Sequence, residues 1–273
     1  MLSTDAYAYL NIDDPICAWA TYRGVLVTPP REPGFLSVWT AGLLGHGDPV
    51  RLNREFTLED VRNKHFPDHV SRLRGMFCFL DRDSATKAGG WGCHFVPDCL
   101  AELSLVGAAP VRRKYDANWI TYGKPDLHWA ADYWRGIPYP DAEPIWETIV
   151  EGRFFVLGTD LRQRAYQRVK DEFPESLMIL ELARLAVFAE SDFGNIAAFL
   201  RTEGDELKIE YYQDWTEAEN PAFMMKIAGL REKGIAVNHF DLMQHMASDS
   251  FGNAPDLRPY ERKLHFETNQ DQN

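Results

Sequence analysis

A chain of 273 residues, 45% hydrophobic and 26% charged, has ordinary globular composition and room for one large domain or two small ones. Its net charge of −12 repels nucleic acid and anionic membrane overall. No run approaches the roughly 18 apolar residues of a membrane span. Met1 to Leu10 carries Asp5 and no basic residue, unlike a secretion signal, so the expected setting is the cytoplasm, away from any membrane.

The four cysteines, Cys17, Cys78, Cys93 and Cys99, form no Cys-x-x-Cys pair. Cys93-His94 and Cys99 lie near Asp98, but reduced, partly buried thiols are the better expectation, and no metal is assigned. Residues 1–158 carry a net −4 and residues 159–273 a net −8. The stretch from Arg51 to Lys87 is rich in cations and is the expected contact for any polyanion, although interleaved acids such as Glu55, Asp60 and Asp81 favour a mixed, solvated face.

In chain order, Trp19 to Val27 is rich in β-branched and aromatic residues and predicts a strand ending at Pro29-Pro30. Phe35 to Trp39 predicts a short second strand. Thr57 and Asp60 suggest a capping box opening a helix over 58–65, stopped before Pro67. Gly75 to Leu80 predicts a buried strand, Asp83 to Ala88 a short helix, and Leu100 to Val106 an alternating strand. Trp146 to Leu157 predicts a hairpin turning at Glu151-Gly152.

The period then changes. Leu161 to Phe173 has helical spacing, and Leu177 to Phe188 predicts a buried helix. Ser191 or Asp192 is placed to cap a helix over 193–201, Leu207 to Tyr212 suits a strand or a helix, and Pro221 to Lys233 predicts a helix that Gly234 ends. A short helix is expected over 239–246 and a frayed tail at Asn269 to Asn273. Strands followed by helices make an α+β chain.

Four features in this order resemble the ADP-ribosyltransferase superfamily, and within it an uncharacterised bacterial group. They are Tyr22-Arg23-Gly24 on the expected first strand, Gly75-Met-Phe77-Cys-Phe79 with the helix after it, the strand from Leu100, and Glu143-Pro-Ile-Trp-Glu147-Thr-Ile-Val-Glu-Gly152. Ser71-Arg72 and Tyr133-Trp134 add to the likeness, which covers about Trp19 to Thr159. The resemblance implies a split β-sheet core in a catalytic domain over 1–160, with a helical C-terminal region over 161–273 packed on it. It implies NAD as the substrate and no metal.

The implied chemistry breaks the nicotinamide–ribose bond through an oxocarbenium-like state, which a carboxylate stabilises. On the resemblance, Glu147 is that carboxylate, and Glu143 orients the nucleophile. Ile145 stands where the arginine-modifying branch has its other acid, so arginine is not the implied acceptor. Arg23, beside Tyr22, would grip the dinucleotide with its planar fork. Ser71 would support the glutamate, Arg72 would contact phosphate, and Phe77 or Phe79 would stack on nicotinamide.

The resemblance implies a mono-ADP-ribosyltransferase that modifies RNA, DNA or protein, nucleic acid slightly ahead, as a toxin or antiviral defence effector held by an antitoxin or chaperone. The competing expectation is a non-enzymatic partner-binding protein on a degenerate version of the same fold.

Overall fold

The structure, a computed structural model, describes residues 3–106, 113–124, 126–204, 206–232 and 253–264. The chain begins with β1 (Ala6–Tyr9) and α1 (Pro15–Arg23), a helix where a strand was expected. Asp14 starts it: its carboxylate accepts from the backbone N–H of Ile16 and Cys17 at 2.8 and 3.0 Å, and Pro15 takes the first turn. Gly24 ends it in the left-handed region, at φ 90°. All of α1 but Tyr22 is buried, so no polar stripe betrays its period. Only β2 (Val25–Val27) remains of the expected strand, and Tyr22 and Arg23 stand on a helix.

β3 (Phe35–Leu36) is followed by α2 (Val38–Gly45) and α3 (Pro49–His65). Asp48 and Pro49 start α3, so the helix expected from residue 58 is its second half and Thr57 lies inside it. β4 (Met76–Cys78), α4 (Arg82–Ala88, capped by Asp81) and β5 (Leu100–Val106) form where expected. β6 (Lys114–Asp116), α5 (Asn118–Tyr122) and α6 (Ala130–Arg135) then lead to β7 (Trp146–Val150) and β8 (Arg153–Leu157).

The C-terminal part contains the expected helices α7 (Asp160–Glu172) and α8 (Leu177–Phe188). It is not purely helical, however. Residues 193–201 form no helix, and β9 (Ile196–Glu203) pairs along its length with β10 (Glu206–Gln213). Alternating Ala198, Leu200, Leu207 and Ile209 pack into one apolar cluster, a period of two that overrides the capping signal at Ser191-Asp192. α9 (Pro221–Glu232) and β11 (Arg262–Leu264) complete the described elements. The helix expected over 239–246 and the tail at 269–273 lie outside the described residues.

The strands form three antiparallel sheets, ordered β1-β5-β8-β2, β4-β7-β6 and β11-β10-β9-β3. The result is an α+β fold. β3 comes from the first 160 residues yet edges the C-terminal sheet, so the two parts share that sheet. β7 and β8 do not form the expected hairpin: they follow each other without pairing, and each enters a different sheet. At the crossing, Gly152 has φ 138°, and its N–H donates to Thr28 Oγ1 at 2.8 Å while its carbonyl accepts from the Thr28 N–H at 3.0 Å. These bonds to a residue beside β2 hold the chain open where a hairpin would fold it back.

α1 packs on α7 and α8 in the main core, with Trp19 donating to the Gly194 carbonyl at 2.8 Å. Arg23, 1% exposed, donates to the carbonyls of Val25 (3.2 Å) and Ser191 (3.0 Å) and lies 3.4 Å from Asp192 and Asn195. Burial lowers its pKa to about 10 against the pull of Asp192. This is a brace between α1 and the turn before β9. Arg23→Ala is expected to cost about 2–4 kcal/mol by leaving a cavity and two unpaired carbonyls. A midpoint of urea denaturation equal to wild type would contradict the brace.

Candidate functional site

The register of the three-stranded sheet decides which side chains meet. Phe77 lies opposite Ile149, and Tyr115 opposite Glu147, so these four share one face. Leu58 of α3 and Tyr133 and Trp134 of α6 cluster with Tyr115 and Ile149, covering most of that face and leaving Phe77 half-buried. Arg72, 3% exposed, enters it from the segment before β4.

Arg72 is held by two buried carboxylates. Its Nε and Nη2 donate to Glu55 Oε2 and Oε1 at 2.7 and 3.0 Å, a two-pronged grip. Its Nη1 donates to Glu147 Oε1 at 2.9 Å and to the Tyr133 hydroxyl. That hydroxyl in turn donates to the same Glu147 oxygen at 2.8 Å. The guanidinium also lies 4.6 Å from the centre of the Phe77 ring and 5.2 Å from that of Tyr133.

Electrostatics follow from this closure. Burial works against the charge of Arg72, but Glu55, Tyr133 and Glu147 outweigh it and hold its pKa well above the ordinary value. Burial alone would raise Glu55; attraction and hydrogen bonds from Arg72 outweigh that and hold it below its ordinary value. Burial, and then the Glu147 charge, lift the Tyr133 phenol well above its ordinary value despite Arg72. Glu147 is 6% exposed; Oε1 has two donors, and among the described residues none holds Oε2.

Of the residues singled out in the sequence, Arg72, Phe77 and Glu147 come together here. Arg72 serves the glutamate rather than standing free for a phosphate, and it occupies one face of Phe77. Ser71 is buried nearby, but its hydroxyl accepts from the Leu73 N–H at 3.1 Å and makes no bond to Glu147. Phe79 lies elsewhere, edge-on to Tyr9 at 6.3 Å and 6.2 Å from Trp91, at the bridge between Tyr7 and Phe79 that joins two sheets.

Glu143 is an exposed side chain paired with Lys87 and joins no site. Tyr22 donates to Glu181 and packs 4.8 Å from Tyr166. Arg23 shares no partner with Glu147. The arginine grip beside the carboxylate is therefore not formed: helix α1 turns both residues toward α8 and the turn at 191–195.

The unforeseen members are Glu55, Tyr133's hydroxyl and Asp116. Glu55 had a signal, a carboxylate three residues from both Leu52 and Leu58 on the buried stripe of α3. Asp116 is fully buried and accepts backbone N–H bonds from Asn118 (3.0 Å), Tyr139 (2.8 Å) and Ile145 (3.1 Å). It thereby ties β6 to the loop that leads into β7.

Beside this cluster, at the free edge of β6, lies an open cleft of about 480 Å³. Phe66, His69, Tyr115, Trp134 and Trp146 line it with aromatic surface, and Arg113, Lys114 and Arg135 add cations. Tyr115, opposite Glu147 in the register, is the wall that cleft and cluster share. Its hydroxyl is 3.1 Å from His69 Nδ1. Burial, then Arg113 and Arg62, lower the His69 pKa and keep the ring neutral near pH 7.

The cations of the expected polyanion contact are largely used internally: Arg62 pairs with Glu59, Lys64 with Asp60, Arg72 with Glu55 and Lys87 with Glu143. Among the described residues, no group of three His, Cys, Asp or Glu side chains is placed to hold a metal ion, and no helix is long and apolar enough to cross a membrane. No protein-family model matches the chain, and no curated protein matches it.

Because Glu55 is depressed below its ordinary 4.5, its bond to Arg72 stabilises the fold fully above that value and is lost as pH falls through the folded-state pKa. Stability should therefore drop steeply below about pH 4.5, and Glu55→Gln should flatten that limb while costing about 3 kcal/mol or more at pH 7. Urea midpoints measured from pH 7 to pH 3 give the comparison. Parallel curves for the two proteins would rule the linkage out.

Proposed function

We propose that the chain is a mono-ADP-ribosyltransferase that consumes NAD, with Glu147 as the catalytic carboxylate, and that it acts on an intracellular macromolecule as a toxin or defence effector. One observation carries this reading. Arg72 and Phe77, five residues apart, meet Glu147, seventy-five residues beyond Arg72, around a single carboxylate whose Oε1 is fixed by two donors and whose Oε2 has no described partner. A fixed carboxylate with one oxygen to spare suits a group that must meet positive charge without reorganising.

In the reaction, the bond between ribose C1′ and the nicotinamide nitrogen breaks, and nicotinamide leaves with the electron pair. Glu147 stabilises the cationic sugar. A nucleophile of the acceptor then bonds to C1′ and gives its proton to solvent or base. Arg72 is a positioning residue for Glu147. Glu143, Arg23, Tyr22 and Phe79 have no part in this version, and Phe77 offers only the face that Arg72 leaves open.

A second reading is a non-enzymatic binding protein, favoured by the same clamp: a carboxylate bonded to a buried guanidinium is also what a purely structural ion pair looks like. The two part on one experiment. With labelled NAD, wild type should release nicotinamide and label an acceptor, and Glu147→Gln should reduce turnover about 10²- to 10³-fold while NAD affinity changes little. NAD turnover absent from wild type, with Glu147→Gln affecting the unfolding midpoint alone, would leave the binding protein standing.

A further inference from the structure

The cleft at the edge of β6 combines two chemistries that meet in few ligands. Its wall is aromatic: Phe66, His69 and Trp146 are partly accessible above a floor of buried Tyr115 and Trp134. Its cations, Arg113 and Lys114, are exposed and consecutive, and neither has a carboxylate within ion-pair distance among the described residues. Arg135, on the same cleft, has only the exposed Asp132 at 2.9 Å. In a chain of net −12 whose other cations are so often paired, this is a local reversal of sign.

The nearest acids do not cancel it. Asp116 spends its carboxylate on three backbone N–H groups, and Glu147, opposite Tyr115 in the register, is bonded to Arg72. Asp81 acts on Lys114, and the exposed Asp68 on His69, only through their fields. His69, neutral near pH 7, adds a ring and a hydrogen-bonding nitrogen without charge.

We propose that this cleft binds a nucleotide unit, its base stacked on the aromatic wall and its phosphate held by Arg113 and Lys114. An acidic peptide would use the cations and leave the aromatic wall idle, and an apolar ligand would leave the cations unpaired. A nucleotide uses both. The site stands on the cleft alone and does not require the transferase reading. The unit comes either from a free nucleotide or from a single-stranded nucleic acid.

The test uses the full chain at low salt. Tryptophan fluorescence is titrated with AMP and with inorganic phosphate, and anisotropy follows labelled twelve-residue oligo-dT and oligo-rA. AMP should quench fluorescence and phosphate alone should not. Arg113→Glu and Lys114→Glu, both at exposed positions, should each weaken binding about tenfold or more with an unchanged unfolding midpoint. Trp146→Leu should abolish the quench.

An oligonucleotide bound at least about tenfold more tightly than AMP, with a log–log salt slope near −2 for three cations engaged, identifies a single strand. Equal affinities identify a free nucleotide. If neither AMP nor oligonucleotide binds, or if binding is indifferent to both charge reversals, the site is refuted. NAD turnover that is absent while AMP still binds refutes the transferase and leaves this cleft intact.

Discussion

Arg72 is the single charge around which the central part of the molecule is arranged. A guanidinium 3% exposed can exist only if its donors are met, and here Glu55 takes two, while Glu147 and Tyr133 share a third nitrogen. Those partners sit on α3, β7 and α6, so satisfying one side chain fixes a helix, a strand and a second helix relative to one another. It also gives Glu147 a defined rotamer. A carboxylate on a strand is ordinarily exposed; this one is held because its neighbours on the same face, Phe77, Ile149 and Tyr115, are covered by aromatic surface.

The second constraint is the passage from β7 to β8. Two strands joined by two residues ordinarily pair. These separate, because Gly152 is tied to Thr28 on both its N–H and its carbonyl. One sheet thus leads into the other, and the bridge between Tyr7 and Phe79 joins them at a second point. The edge strand β6 is a product of the same arrangement, and the aromatic cleft forms along it.

Charge is distributed by the same logic. Five of the eight cations between Arg51 and Lys87 are paired: Arg62, Lys64 and Arg72 with acids of the same stretch, Arg74 with Glu151 and Lys87 with Glu143. Arg113 and Lys114 are exposed cations without an ion pair among the described residues, next to an aromatic wall built from segments eighty residues apart, Phe66 to Trp146. Overall charge therefore says little about local affinity, because a local field is set within about a Debye length, roughly 10 Å at 0.1 M salt.

By itself the sequence determined those elements whose period is visible or whose ends are marked: β4, α4, β5, α7, α8 and α9; it also singled out Arg72, Phe77 and Glu147, which the fold brings together in one cluster. The tertiary structure decided the rest. α1 is buried all round, so its period left no trace, and it took Tyr22 and Arg23 away from the glutamate. β9 and β10 became strands because each supplies the other's hydrogen bonds, a gain that no local window contains. Only in three dimensions could Glu55 reach Arg72 across seventeen residues and Glu147 across seventy-five, since a buried charge selects its partners by proximity in space.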